Sequence, residues 1–377
     1  MQITSAFDSG NIEIIRANRP DDIHLAIRRD NRSDFYQWFH FRLSGVRDTP
    51  CTITIDNAGG AAYPDGWRDY GVPVSYDRQN WWRVPTSFDG ERLTFSLTPA
   101  QDTLWLAYFP PYSMERHQDL IARASADPRV RCRVLGHTLD GQAMDLLELD
   151  APRPDSPVVW LIARQHPGET MAEWWMEGAL DALLDPADPI SRALLDRAHI
   201  RIVPNMNPDG ARRGHLRTNA AGVNLNRVWH APDMATSPEV ALVRAEMERT
   251  GVDLHMDVHG DEGLPYNFLA GYEGIPGLTA DHASAFTDFR TLLTTLSPDF
   301  QDVYGYEADA PGTADLTKCT DWTAHRFGCL AMTLEMPFKD NADRPDPTHG
   351  WTPDRARHLA KACLAAIHQT LTKQAAP

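Results

Sequence analysis

The sequence predicts an α/β protein in which an all-β sandwich precedes a larger domain, whose mixed or parallel sheet is flanked by helices. Three observations support this fold class. Short alternating segments separated by Gly, Pro and Asp turns fill residues 1 to about 110. The first strong helix signal follows the Pro-Pro pair at 110–111. From residue 158 onward, apolar strands alternate with helical segments. We therefore predict domains at residues 1–114 and 115–377.

The first domain contains several short strands with alternating polar and apolar residues. They are predicted at residues 11–15, 37–43, 51–56 and 92–97. Turns such as Gly59-Gly60 separate them. Several strands at this spacing are typical of a β-sandwich, and we expect the aromatic residues to form its core. We find no cluster of residues suited to catalysis in this part of the chain.

The second domain is predicted from helix signals and apolar runs. Helices are expected at residues 113–126, 237–250 and 353–372. The helix at 237–250 is the best marked, because Ser237 can cap it, Pro238 suits its first turn and Gly251 ends it. Strands are expected at residues 131–136, 144–149, 158–163, 198–203, 252–259 and 328–337.

Composition limits the classes of partner. The chain has 377 residues, 42% of them hydrophobic, and a formal charge of −16 from 36 basic and 52 acidic side chains. This charge argues against nucleic acid or an anionic membrane as the main partner. No apolar run approaches membrane-spanning length, and the amino terminus lacks a secretory signal pattern. Five scattered cysteines fit reduced thiols, so we expect a cytoplasmic protein.

A turn after the strand at 158–163 brings an imidazole and a carboxylate together at His166 and Glu169. In open α/β sheets, ligands bind at the carboxyl ends of strands. Histidine and glutamate are two of the three protein ligands in one common type of hydrolytic zinc site. The spacing alone is weak evidence, because the chain has 15 His and repeats the pattern at His259 and Glu262.

Strict alternation at residues 252–259 predicts a strand with His255, Asp257 and His259 on one face. Residues four apart on a strand are separated by roughly 13 Å, so His255 and His259 cannot bind the same metal. His259 is favoured as the ligand, because it ends the strand just before a Gly. Asp257 or His255 could support the metal ligands from behind.

Two further features of the sequence are suited to catalysis or ligand binding. Glu335 ends an apolar strand, and a buried carboxylate is costly unless it has a partner or a role, such as a general base beside a metal-activated water. Residues 212–217 and 224–227 form a basic segment in an acidic chain. Arginine suits carboxylate binding, although a solvated basic loop explains this segment equally well.

Together these segments resemble the zinc metallocarboxypeptidases of the carboxypeptidase A type, and more closely the cytosolic carboxypeptidase subfamily. The amino-terminal segments at 38–42 and 108–112 resemble signatures of that subfamily. The motifs of the catalytic domain occur in the order of the family: His166-Pro167-Gly168-Glu169, Asn207-Pro208-Asp209-Gly210, Asn224-Leu225-Asn226-Arg227, Asp257-Val258-His259-Gly260 and Thr333-Leu334-Glu335.

This resemblance implies a carboxypeptidase-like sheet of the eight-stranded type and one Zn²⁺ per chain. The substrate would be the C-terminus of a peptide or protein. The implied roles are metal binding by His166, Glu169 and His259, proton transfer by Glu335, oxyanion stabilisation by Arg217, and binding of the terminal carboxylate by Asn226 and Arg227.

Three positions need separate comment. Asn224 stands where many relatives carry an acidic residue, so an amide replaces a carboxylate that would orient a ligand histidine. The tyrosine that closes over the substrate in digestive relatives could be Tyr304 or Tyr306. Lys318 lies near a basic position of the side-chain pocket in cytosolic relatives, which implies an acidic terminal residue such as Glu. An exposed loop lysine is the alternative.

The sequence thus predicts a zinc carboxypeptidase. Two other functions stay open. One is a zinc amidase acting on a small γ-glutamyl or peptidoglycan-type amide. The other is a protein-binding module whose metal centre is vestigial. The sequence does not indicate an oligomeric state.

Overall fold

The computed structural model describes residues 1–374 and confirms the predicted fold class. Two five-stranded sheets are followed by a larger sheet with helices. The last strand of the small sheets ends at Ala107, and the first long helix begins at Met114. The domain limits 1–114 and 115–377 stay a proposal, and residues 375–377 lie outside the described part.

The N-terminal part is built from short strands that pair into two sheets. Its strands are β1 (Gln2–Thr4), β2 (Glu13–Arg19), β3 (Asp22–Ala26), β4 (His40–Ser44), β5 (Cys51–Ile55), β6 (Gly71–Ser75), β7 (Trp82–Pro85), β8 (Ser87–Phe88), β9 (Leu93–Leu97) and β10 (Thr103–Ala107). One sheet has the order β1-β4-β10-β6-β7 and the other β2-β3-β5-β9-β8. Buried aromatic rings fill this part as expected, with Trp67 and Tyr108 packed edge to face at 5.3 Å.

The larger domain alternates strands and helices along the chain. Its elements are α1 (Met114–Ser125), β11 (Val130–His137), β12 (Ala143–Leu149), β13 (Val158–Ala163), α2 (Thr170–Leu184), α3 (Pro189–Leu195), β14 (His199–Val203), α4 (Pro208–Arg213), α5 (Pro238–Thr250), β15 (Leu254–Asp261), β16 (Phe268–Ala270), α6 (Ala280–Leu296), α7 (Cys319–Phe327), β17 (Leu330–Pro337) and α8 (Pro353–Gln374). The helices predicted at 113–126, 237–250 and 353–372 are therefore confirmed to within two residues.

The large sheet is mixed and has the order β11-β12-β14-β13-β15-β17-β16. The four central strands β14, β13, β15 and β17 are parallel, and the outer strands pair antiparallel. Within residues 1–374 this sheet has seven strands, compared with the eight that the resemblance implied. Strand β15 is central and buried along both faces, so its alternating polar residues lie inside the protein and not in solvent.

None of the helices in residues 1–374 combines the length and apolar character that crossing a membrane requires.

Contacts between the two parts are both polar and aromatic. Arg83 of β7 donates to the backbone carbonyls of Phe338 at 2.7 Å and His349 at 3.0 Å. The Tyr108 ring stacks on Phe338 with centroids 4.5 Å apart. These contacts couple the β-sandwich to the segment that follows β17.

A buried charge cluster joins α1 to the large sheet. The His117 Nδ1 atom lies 2.6 Å from the Glu173 carboxylate, and its Nε2 atom lies 3.6 Å from Asp145. Glu173 also accepts a hydrogen bond from Arg164 at 2.5 Å. Burial alone would lower the pKa of His117, but Glu173 and Asp145 raise it to about 9.

We predict that His117 makes folding stability dependent on pH. Because its folded-state pKa exceeds the unfolded value of about 6.5, its charged form stabilises the fold fully below pH 6.5. That contribution is lost as the pH rises to about 9. Denaturant unfolding at pH 6 and pH 9.5 should show a loss of about 2–3 kcal/mol in the wild type that is absent in His117→Gln.

The matched control is His349→Gln, because His349 is a half-exposed surface residue paired with Asp346. It should keep the pH dependence of the wild type. An equal slope in the wild type and in His117→Gln would contradict the assignment.

Candidate metal centre

The three predicted metal ligands lie together at the carboxyl ends of two parallel strands. His166 and Glu169 lie in the turn between β13 and α2, and His259 lies near the end of β15. Their ligating atoms all lie within 4.8 Å of one another, and all three side chains are buried. The two His-x-x-Glu patterns of the sequence therefore meet in one place. Glu262, the acidic residue of the second pattern, is not part of this cluster.

The ligand atoms of the cluster are close enough together to bind one zinc ion. The Nδ1 atoms of His166 and His259 each lie 2.7 Å from an oxygen of Glu169, and they lie 3.2 Å from each other. A tetrahedral zinc with bonds of 2.0–2.1 Å separates its ligand atoms by about 3.3 Å. Two facing imidazole nitrogens and one carboxylate are also a donor set that zinc prefers. The residues present thus fit the metal.

The surroundings of two ligands set their protonation states. Burial lowers the pKa of His166 to about 4, with Arg217 contributing, so the imidazole is neutral near pH 7. Burial would raise the pKa of Glu169, but His166 and His259 hold it below its usual value. A neutral imidazole and an ionised carboxylate are the forms that bind metals.

Each ligand histidine is supported from behind, but by different groups. The Nε2 atom of His166 lies 3.0 Å from Asn224 Oδ1, whereas that of His259 lies 2.9 Å from Asp257 Oδ2. Asp257 in turn accepts a hydrogen bond from Gln165 at 2.5 Å. The group behind His166 is thus the amide of Asn224, as the sequence predicted. His255 does not reach the cluster, since its Nε2 atom lies 3.3 Å from the Cys319 sulfur.

Glu335 lies beside the metal cluster on the neighbouring strand. In the parallel pairing of β15 and β17, Glu335 is the partner of His259. The side chain is buried, and its Oε2 atom has no hydrogen-bond partner within the described chain. Burial raises the pKa of Glu335 well above its ordinary value; His259 opposes this rise and Glu169 adds to it. A carboxyl group in this state can hold and release a proton.

Tyr306 is the tyrosine that reaches the centre. Its hydroxyl donates to Asp261 at 2.6 Å and lies 3.4 Å from Glu335 Oε1. Tyr304 instead stacks on Tyr266, with centroids 4.5 Å apart. The sequence offered no basis for this choice, because both residues lie in a loop without periodic pattern.

A cavity of about 560 Å³ opens beside the cluster. The family resemblance gave eight residues a role in metal binding, catalysis or substrate binding. Seven of them line the cavity, all except His259: His166, Glu169, Arg217, Asn226, Arg227, Lys318 and Glu335. Residues of the N-terminal part, including Tyr63 and Gly66, also line it. Sequence patterns gave no sign that the β-sandwich contributes to this cavity.

Three cationic side chains face the cavity in different settings. The Arg217 guanidinium lies over the rings of Phe35 and Tyr63 at 5.6 and 5.4 Å. Arg227 donates to the backbone carbonyl of Asn226 at 2.6 Å. The Lys318 ammonium pairs with carboxylates at 2.9 Å from Asp321 and 3.4 Å from Asp309. Lys318 therefore belongs to the wall of the cavity, where a buried acidic side chain accompanies it.

Comparison with protein families gives two matches. Residues 3–109 match the cytosolic carboxypeptidase N-terminal domain, and residues 117–360 match the zinc carboxypeptidase family. An uncharacterized protein of Zymomonas mobilis is 50% identical over 98% of this chain and 97% of its own length. Mouse cytosolic carboxypeptidase 3 is 28% identical over 71% of this chain, but the match spans only 30% of that protein.

Solved structures resemble nearly the whole chain. The metallo-carboxypeptidase from Burkholderia cenocepacia has a TM-score of 0.96 and 47% identity, with 99% of each chain covered. The metallo-carboxypeptidase from Pseudomonas aeruginosa, in complex with (2-guanidinoethylmercapto)succinic acid, has a TM-score of 0.96 and 44% identity. That match covers 98% of this chain and 100% of the other.

We predict that the groups behind the two histidines tune metal affinity in opposite directions. Asn224→Asp should tighten zinc binding about 10-fold, because a carboxylate accepts the His166 hydrogen bond more strongly. Asp257→Asn should weaken binding about 10-fold for the converse reason. Competition with a chelator of known affinity at one fixed pH measures both effects. Equal affinities in the two variants would show that these contacts do not tune the metal.

Proposed function

The chain belongs to the zinc carboxypeptidase family, and from this premise we propose that it hydrolyses the C-terminal residue of peptides or proteins. One observation carries the proposal. A cluster that fits zinc, a buried carboxyl group and two arginines share one cavity. In this proposal His166, Glu169 and His259 bind one zinc ion per chain. The described residues contain one such cluster of ligands, which supports that stoichiometry.

The proposed chemistry divides between the metal and the protein. Zinc, when bound, lowers the pKa of water and polarises the scissile carbonyl. Glu335 accepts a proton from the attacking water and later gives it to the nitrogen of the leaving amine. The raised pKa of Glu335, caused first by its burial, suits a group that carries a proton between these two steps. Arg217 stabilises the negative charge that develops on the carbonyl oxygen.

Recognition of a chain end is proposed to depend on Asn226 and Arg227. The Asn226 Oδ1 atom already accepts a hydrogen bond from the Cys319 amide at 2.8 Å, which leaves the amide nitrogen to face a ligand. A guanidinium and an amide nitrogen together bind a carboxylate with several donors. Such a clamp explains cleavage at the terminus and not within a chain.

For the terminal side chain, we propose an acidic residue such as Glu, bound by Lys318. An incoming carboxylate would replace the contact of Lys318 with Asp309, which is partly exposed. Asp321 is buried in the same cavity and favours a second candidate, a basic terminal residue. The ligand of the Pseudomonas aeruginosa relative carries a guanidino group as well as two carboxylates.

We also propose a cytoplasmic location. The relatives named cytosolic carboxypeptidases support it, as do five cysteines that are unpaired in residues 1–374.

Loss of the Glu335 carboxylate should stop the proposed proton transfer. Glu335→Gln should lower kcat by about 10³-fold, because the amide cannot accept the proton of water. Zinc content should be unchanged, since Glu335 is not among the proposed ligands. Metal analysis and assay of the same preparation measure both quantities. Full activity in this variant would contradict the proposed role.

A matched pair of substrates separates the carboxypeptidase from the alternative functions. A peptide with a free terminal carboxylate should be cleaved, and the same peptide with a terminal amide should resist. Cleavage of both, or of only a small γ-glutamyl amide, would favour an amidase. A protein-binding module with a vestigial centre would cleave neither.

The proposed binding of an acidic terminal residue predicts an order of preference among substrates. Among peptides that differ only in a terminal Glu, Leu or Lys, the Glu peptide should have a kcat/KM about 10-fold above the others. Lys318→Met should remove this advantage and leave the Leu peptide unaffected. A preference for Lys that is lost in Asp321→Asn would reject the acidic proposal and support the basic candidate.

A further inference from the structure

The N-terminal β-sandwich reaches the loop that carries Arg217 through one buried carboxylate. Asp30 is only 3% exposed. Its Oδ1 atom accepts a hydrogen bond from the Leu216 amide at 2.7 Å. Its Oδ2 atom accepts from the amides of Arg217 at 2.8 Å and Thr218 at 2.9 Å, and from the Thr218 hydroxyl at 3.1 Å. One side chain thus satisfies three consecutive backbone amides of another domain.

Such an arrangement fixes the backbone of the loop. Hydrogen bonds to an ionised acceptor are about twice as strong as neutral ones, and buried amides left without an acceptor are costly. Contacts on either side extend the same interface. The Asn31 side chain donates to the Ala220 carbonyl at 2.7 Å, and the Asn11 side chain donates to the Gly214 carbonyl at 2.8 Å.

The same loop touches the turn that holds two proposed metal ligands. The Gly168 amide donates to the Leu216 carbonyl at 2.9 Å. A Cβ atom at Gly168 would lie 3.0 Å from that carbonyl oxygen, so the two segments are in close contact. Leu216 therefore links Asp30 to the turn with the proposed metal ligands. Its amide donates to Asp30, and its carbonyl accepts from Gly168, which lies between His166 and Glu169.

The side chain of Arg217 is also held by the β-sandwich. Its guanidinium lies over Phe35 and Tyr63, at distances typical of cation–π contacts. No hydrogen bond of this guanidinium is found to any group in residues 1–374. Contacts with aromatic rings do not use up the N–H donors of the guanidinium, which stay available to an oxygen of the substrate.

We propose that the β-sandwich contributes positioning residues to the active site. Asp30 positions the loop that carries Arg217, and the rings of Phe35 and Tyr63 orient its guanidinium. Asp30, Phe35 and Tyr63 are positioning residues, because they act through Arg217. The inference rests on the proposed function, since Arg217 matters to the reaction only if the protein is a carboxypeptidase.

Asp30→Asn tests the backbone contact. Its amide group would turn a donor toward amides that need an acceptor, so the loop should shift. We expect kcat to fall at least about 30-fold, because small displacements of a charge-stabilising group are costly. KM should stay within about threefold, because the proposed carboxylate clamp lies on another segment. Asp56→Asn is the matched control, since Asp56 contacts His24 within the β-sandwich.

Hydrogen exchange gives a readout that does not depend on turnover. The amides of residues 216–218 should exchange at least tenfold faster in Asp30→Asn, while Asp56→Asn exchanges like the wild type. Unchanged exchange at these amides would overturn the positioning role. If the wild type cleaves no C-terminal substrate, the proposed function fails, and the exchange data still decide whether Asp30 orders the loop.

The ring contacts provide a second test in case Asp30→Asn does not fold. Tyr63→Leu should have a kcat about tenfold below that of Tyr63→Phe, which keeps the ring, at similar KM. Millimolar guanidine should partly restore activity to Arg217→Ala, because the two rings that contact the guanidinium are still present. The same rescue should fail when Phe35→Leu and Tyr63→Leu are added. Equal rescue with and without the rings would overturn the orienting role.

Discussion

The register of three parallel strands holds the whole centre in place. Strand β15 pairs with β13 on one side and with β17 on the other. This pairing sets His259 beside Glu335 and brings the turn after β13 to the same edge of the sheet. Because side chains alternate along a strand, a slip of one residue in β17 would point Glu335 to the opposite face. The burial of β15 along both faces makes such a slip very costly.

The same geometry brings several carboxyl groups close together. The cavity collects the carboxylates Glu169, Glu262 and Glu335 in a region of low solvent exposure. Burial raises the pKa of Glu262 and of Glu335 well above the ordinary value, so the site tends to keep protons that exposed carboxylates would lose. Arg217 opposes this excess of negative charge, and a divalent metal would oppose it further.

Local patterns predicted those parts of the site that lie on regular elements. The alternation at residues 252–259 favoured His259 over His255 as a metal ligand, and the end of an apolar strand drew attention to Glu335. Asp30 gave no local signal, because its partners lie 186 to 188 residues away in the chain. Tyr306 lies in an irregular loop, so no periodicity could place it. The carboxylate partners of Lys318 likewise depend on how loops fold back. Within residues 1–374 the large sheet has seven strands, one fewer than the family resemblance implied.

The contact of Asp30 with residues 216–218 also has a consequence for how the protein is made. During synthesis the β-sandwich leaves the ribosome before the loop that it orders, and domains generally fold as units. The acceptor is thus in place before the amides that bind it are translated. His259 and Glu335 emerge later still, so the nascent chain cannot complete a hydrolytic centre until most of its length has been read.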